Sequence, residues 1–223
     1  HHADFYLNHS PRFVKITKED LNILYKNNKK KCNFLLGPDY ALFNFDYKTN
    51  KRFFSDLLFY NGASGNPLVY EKIIKKICKK KNNKIFIIIG PYVKNYIKIK
   101  KKFKKNKNIH LVYNPINILP YLRDTKLFLS SAGVSMFESS AIKKPTILFK
   151  MNSNQNLSDD DYEKLGHFFI LEKKNLKETN KIVDLINLMI KNLNQIKKMV
   201  SISKLNHQSI KLNFQRDLYK KLI

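Results

Sequence analysis

The chain is 223 residues long, and its 43% hydrophobic and 13% aromatic content can bury one full domain with an added segment, which excludes a disordered chain. Its formal charge of +26, from 43 Lys+Arg against 17 Asp+Glu, comes almost wholly from lysine in a chain equally crowded with Asn and Ile, the pattern of codon bias at tolerant surface positions; solvated faces are expected, and no nucleic-acid partner. Apolar runs such as Lys84–Gly90 are strand-sized against the roughly 20 residues of a membrane helix, and Cys32, Cys78 and the six histidines make no metal-ligand spacing, so no membrane span, metal, cofactor or disulfide is expected and the thiols suit a reducing cytoplasm.

The chain opens on His1-His2 in place of Met and lacks a charged-then-apolar leader, so it reads as a piece of a longer protein. Ala3–Asn8 and Asn33–Gly37 read as strands on either side of a lysine-rich helical stretch. They are too little for an independent domain, so residues 1–52 are expected to be the tail of a preceding domain and its lead into a second domain at 53–223. From Phe54 onward short apolar runs alternate with amphipathic stretches, which predicts an α/β fold with one parallel sheet. The expected strands are Asp56–Tyr60, Lys84–Ile89, Ile109–Tyr113, Lys126–Ser130, Thr146–Phe149 and His167–Leu171, each evenly apolar and read as buried. Helical periodicity is expected at Pro67–Lys80, Val93–Lys104, Ile118–Asp124, Ser135–Ile142 and Ser158–Leu165, with long helices at Thr179–Met199 and Leu205–Leu222. Gly62, Gly65, Gly90 and Gly133 follow expected strands and should share the carboxyl edge of the sheet, where glycine lets backbone approach a ligand. Gly166 reads as a helix C-cap.

Three loops at that edge carry candidate chemistry. Phe59–Pro67 runs from a strand through small residues to a helix, a geometry that presents backbone N–H groups to an anion, although it lacks the P-loop lysine and the full GxGxxG pattern. Leu129–Glu138 repeats that arrangement and adds a carboxylate one turn into the helix, able to accept from a ribose diol or simply to suit the helix dipole. Phe149–Asn156 places polar amides after the next strand, where they could fix a sugar or phosphate.

In their order and spacing these segments resemble the C-terminal domain of the MurG-like GT-B nucleotide-sugar enzymes, in particular the UDP-2,4-diacetamido-2,4,6-trideoxy-β-L-altropyranose hydrolases of pseudaminic acid synthesis. The resemblance rests on Leu35-Leu-Gly-Pro-Asp-Tyr-Ala-Leu42, Asn61-Gly-Ala-Ser64, Asn117-Ile118 through Lys126-Leu127, Ser131-Ala-Gly-Val-Ser-Met-Phe-Glu138 through Lys144-Pro145, and Asn154-Gln155. It implies a Rossmann-like C-terminal GT-B domain with a remnant of the N-terminal domain. It also implies roles: Gly133, Val134 and Ser135 at the diphosphate, Glu138 at the ribose, and backbone near Ile118 at the uracil. Asn61, Gly62, Ala63 and Ser64 would close the phosphate side. Asn154 would face the scissile bond and, with Gln155, the sugar. The family's catalytic histidine lies on an N-terminal glycine-rich segment absent from this sequence; His1, His2 and His9 do not replace it.

The expected activity is therefore hydrolysis of a UDP-linked deoxy-amino sugar for surface-glycan synthesis, with this chain supplying the UDP-binding half and the missing N-terminal domain as its partner in cis. A glycosyltransferase on the same scaffold is the alternative. A non-catalytic basic module for acidic polymers is a third, and it requires lysines lining one groove with aromatics between them.

Overall fold

The computed structural model describes residues 5–9, 33–41, 52–80, 83–151 and 165–203, with isolated helical positions at 19, 22, 23 and 26. Two short strands, β1 (Phe5–Asn8) and β2 (Asn33–Leu36), pair in parallel. The main sheet follows: β3 (Ser55–Tyr60), β4 (Ile85–Ile89), β5 (Ile109–Tyr113), β6 (Thr125–Ser131), β7 (Thr146–Lys150) and β8 (Phe168–Glu172). All six are parallel, in the order β5-β4-β3-β6-β7-β8. The helices between them are α1 (Glu71–Lys80), α2 (Tyr96–Phe103), α3 (Leu119–Arg123) and α4 (Val134–Ala141), with α5 (Thr179–Lys191) and α6 (Leu193–Ser201) after the last strand. The α/β class and the single parallel main sheet read from the sequence are those observed.

The period-2 geometry of a strand sends successive side chains to opposite faces, and here both faces are covered. Leu57, Phe59, Ile85, Ile87, Leu127, Leu129, Ile147 and Phe149 point into a core shared with α1, α2 and α5. Leu58, Phe86, Ile88 and Phe128 point the other way, against Leu119 and Leu122 of α3. Phe137 and Met136 of α4 form a smaller cluster with Leu148 and Ala41, and His9 meets Phe137 edge-on at 5.4 Å. Residues from both sides of the expected boundary at 52 thus pack on the same helix.

Three expectations are corrected. The edge strands β5 and β8 are half-exposed rather than buried, because each has a neighbour on one side only and part of its surface escapes helical cover. The long helix expected over Thr179–Met199 breaks at Asn192, which leaves the helical backbone conformation at φ −106° and ψ 32°. The helix expected from Val93 begins only at Tyr96, after Asn95 takes a left-handed φ of 65°. The expected helix Leu205–Leu222, and all of Ser158–Leu165 but Leu165, lie outside the described residues. Gly166 has φ 64°, as a C-cap glycine would. Among the described residues no helix is long and apolar enough to cross a membrane.

At the amino end of the sheet two buried side chains, Lys144 and His167, are hydrogen-bonded to backbone carbonyls, while buried Asn83 has no partner for its Nδ2 among the described residues. Buried Lys144 donates from Nζ to the carbonyls of Arg123 and Thr125 at 2.9 and 2.6 Å, which ties the start of β7 to the α3–β6 turn. Burial pulls its amine down to about 8. His167, also buried, lies 2.8 Å from the Lys144 carbonyl through Nε2; since a carbonyl only accepts, Nε2 carries the proton and Nδ1 faces the Ser203 hydroxyl at 3.4 Å. Burial holds this imidazole at about 4.

A histidine at about 4 in the fold and about 6.5 when unfolded binds its proton more readily unfolded. Its contribution is whole above pH 6.5 and is lost as pH falls towards 4, on the order of 3 kcal/mol in all. Thermal melts between pH 7 and 4 should show this fall. His167→Gln should flatten it while starting from a lower melting temperature; an unchanged slope would mean that other groups drive it.

Candidate functional site

The strand order reverses between β3 and β6: β3 leads outward through β4 to β5, while β6 leads the other way through β7 to β8. In an open parallel sheet the loops beyond the carboxyl ends of two such strands leave in opposite directions, and a crevice remains between them. Here Tyr60 pairs with Ser130 in register at that edge. Beyond them lies a cavity of about 510 Å³.

Three segments line it. From β3 come Tyr60, Gly62 and Ala63; from β6 and the start of α4 come Ser131 to Ser135 and Glu138; from the β5–α3 loop come Pro115 to Ile118. Of the residues singled out in the sequence, the structure brings Gly62, Ala63, Ile118, Gly133, Val134, Ser135 and Glu138 together on this one cavity. It does not bring Asn61 or Ser64 to the lining. Asn61 is buried, its Oδ1 accepting from the Tyr70 hydroxyl at 3.2 Å and its Nδ2 donating to the Asn66 carbonyl at 3.3 Å. Its side chain braces the loop. Ser64 is exposed on the same loop. Asn154 and Gln155 lie outside the described residues.

The glycines divide in the same way. Gly62 has φ 76°, a left-handed conformation that favours glycine. A Cβ on Gly90 would overlap the Ala63 carbonyl, which accepts from the Tyr92 N–H at 2.9 Å, so Gly90 permits two strand-end loops to touch. Gly65 likewise abuts Asn61. Gly133 differs, with extended backbone that any residue adopts and open space where a side chain would stand. The fold by itself does not demand glycine there.

Gly133 precedes α4, and no side chain caps that helix. The first N–H groups of an α-helix have no intrahelical partner, and they present partial positive charge to the cavity. Ser135, buried on the first turn, shares a hydrogen bond of 2.9 Å with the Ser130 hydroxyl. On the opposite wall Asn117 accepts the Leu119 N–H at 2.7 Å through Oδ1, fixing the entry into α3 and with it the backbone of Ile118.

Glu138 stands one turn into α4. Among the described residues nothing donates a hydrogen bond to its carboxylate, and burial raises it to about 7. Tyr60 faces the same space; burial raises its phenol, and the nearby Glu138 adds to that. Sequence reasoning missed Tyr60, Asn117 and Ser131. The first two stand beside residues it did single out, at the same strand and helix ends.

Residues 66–221 match the glycosyltransferase family 28 C-terminal domain. The chain belongs to this family. Its relatives include the Helicobacter pylori protein named pseudaminic acid cytidylyltransferase and UDP-2,4-diacetamido-2,4,6-trideoxy-beta-L-altropyranose hydrolase, 29% identical over 164 residues, which cover 71% of this chain and 30% of that protein. The chain spans 30% and 32% of the length of the curated relatives it matches. Among solved structures, the pneumococcal O-GlcNAc transferase GtfA in complex with UDP and GlcNAc aligns with TM-score 0.58 at 14% identity, over 98% of this chain and 45% of that one. Acinetobacter baumannii MurG aligns with TM-score 0.50 at 13% identity, over 74% and 50%. At these identities the structures speak for the fold, which is that of the C-terminal half of a GT-B glycosyltransferase.

The family 28 cavity in this chain makes a distinct prediction about Glu138. A carboxyl at about 7 in the fold and about 4.5 when unfolded holds its proton more tightly folded, so stability falls as pH rises from 4.5 and the full penalty is present above 7. Glu138→Gln removes it. The melting temperature of the variant relative to wild type should therefore increase between pH 5 and pH 8, by roughly 5–10 °C for a chain of this size. A difference that stays constant with pH would mean that the carboxylate is well solvated.

Proposed function

We propose that this chain is the nucleotide-binding half of an enzyme that hydrolyses a UDP-linked deoxy-amino sugar, releasing UDP. The observation that carries the reading is Glu138: a carboxylate without a donor among the described residues, lining with the uncapped start of α4 the cavity at the β3/β6 reversal. A ribose diol supplies the two donors it lacks, and a diphosphate supplies the anion that the uncapped helix end favours. Gly133, Val134 and Ser135 hold the diphosphate in this reading. Gly133 admits phosphate oxygens close to the backbone, and the Ile118 backbone meets the base. Asn154 and Gln155 address the sugar.

Hydrolysis requires water to attack the anomeric carbon as the bond to the diphosphate oxygen breaks, with a base taking the water's proton. The helix end then stabilises the charge growing on the departing UDP. In the resembled family the base is a histidine of the N-terminal half, so this chain alone binds without turnover. The Helicobacter relative, whose name includes this hydrolase activity, supports this choice. A second reading, transfer of the sugar to an acceptor, draws on the family description and on the solved glycosyltransferases that share the fold. Both use the same UDP site.

Calorimetric titration tests the site. UDP should bind this chain, uracil alone should bind far more weakly, and Glu138→Gln should weaken UDP by roughly 1.5–3 kcal/mol, the range for hydrogen bonds to a charged group. Equal UDP affinity in a folded Glu138→Gln variant would remove Glu138 from the site. With the intact protein, release of UDP and free sugar in equal amounts without any acceptor distinguishes hydrolysis from transfer.

A further inference from the structure

The candidate site leaves unexplained a second surface, on the outer face of α2 and the loops beside it. From Pro91 to His110 the sequence carries eight lysines and no carboxylate. Only Lys102 among them has an ion-pair partner in the described residues, Glu71 at 3.6 Å. The helix buries Ile99 and Phe103, packs Tyr96 partly against the same core and turns its other residues outward. Among the outward lysines stand Tyr92, 74% exposed, and Ile97, 70% exposed. A shallow depression of about 810 Å³ lies along this face, lined by Val93, Tyr96, Ile97 and the stems of Lys98, Lys101 and Lys102. Tyr96 packs on Tyr113 with ring centroids 4.9 Å apart, which joins α2 to the exposed edge strand β5. Just past β5, Ile116 is 96% exposed and stands on the rim of the candidate cavity.

We propose that this face docks on an anionic lipid surface, with Tyr92 and Ile97 inserting into the headgroup boundary and the surrounding lysines meeting lipid phosphates. Each lysine near such a surface gains from its negative potential, and apolar side chains amid cations add burial that charge alone does not give. A second copy of the chain fits poorly, because a self-complementary contact would set lysine against lysine. Nucleic acid accounts for the lysines and could stack on the tyrosine, but it offers nothing to Ile97 or Ile116. The proposal stands on exposure and charge, independently of what the cavity binds.

Co-sedimentation of the 223-residue chain with vesicles tests it, comparing pure phosphatidylcholine with a mixture containing phosphatidylglycerol at physiological salt. Binding should be at least about tenfold stronger to the anionic vesicles. Tyr92→Ser/Ile97→Ser keeps every charge and alters only exposed side chains, so its melting temperature should be unchanged while anionic-vesicle binding drops at least about fivefold. Lys98→Glu/Lys101→Glu should also lose binding, whereas Lys191→Glu/Lys198→Glu, with the same charge change on α5 and α6, should retain most of it. Undiminished binding by the serine variant, or equal losses in the two charge variants, would show a generic attraction of a basic chain and overturn the proposal. So would an RNA oligonucleotide that binds wild type and the serine variant alike and strips the chain from vesicles.

Discussion

Strands β3 and β6 lie side by side in parallel register although two strands and three helices separate them in sequence. Parallel neighbours cannot be joined by a tight turn, so each strand must return through a crossover, and both faces of the sheet are covered by the crossover helices. The two halves of the fold then wind away from this central pair. Their loops part at its carboxyl end, and the cavity is the space left where they part. Everything lining it, from Tyr60 to Glu138, is positioned by that pairing.

The two ends of the sheet hold different buried polar groups. At the amino end Lys144 and His167 are buried and hydrogen-bonded to backbone carbonyl oxygen, so their titration reports on the fold, and the Asn83 Nδ2 at the same end has no partner among the described residues. At the carboxyl end the Glu138 carboxylate has no hydrogen-bond donor among the described residues and no side chain caps the start of α4, and both line the same space. Burying a polar group without a hydrogen bond is costly, and a fold retains such groups where something other than folding uses them.

The charge has a similar internal structure. Surface lysines paired with carboxylates, such as Lys126 with Asp56 at 2.6 Å and Lys75 with Glu71 at 2.5 Å, contribute little to stability. The stretch around α2 is different because it lacks acids altogether and surrounds exposed apolar side chains. A high lysine count by itself does not place Tyr92 and Ile97 in water between the lysines. The acidic-polymer reading draws on lysines and aromatics alone, whereas the face around α2 also exposes the aliphatic Ile97.

Much of this was legible in the sequence. Apolar runs of strand length, alternating with 3.6-residue periodicity, fixed the class and located all six strands of the main sheet to within a residue or so, because those patterns act between near neighbours. The small residues after β3 and β6, and Glu138 one turn beyond the second of them, marked the cavity's walls for the same local reason. The order of the strands was not legible, since each crossover is compatible with either direction along the sheet. Nor was the half-exposure of β5 and β8, which follows from that order. Asn61 and Gly133 both looked like loop residues facing a ligand; tertiary contacts with Tyr70 and Asn66 turned the first inward and left the space beside the second open. The raised pKa of Glu138 belongs wholly to the tertiary structure, because desolvation depends on which walls close around a carboxylate, and those walls come from three loops that meet only in the folded chain.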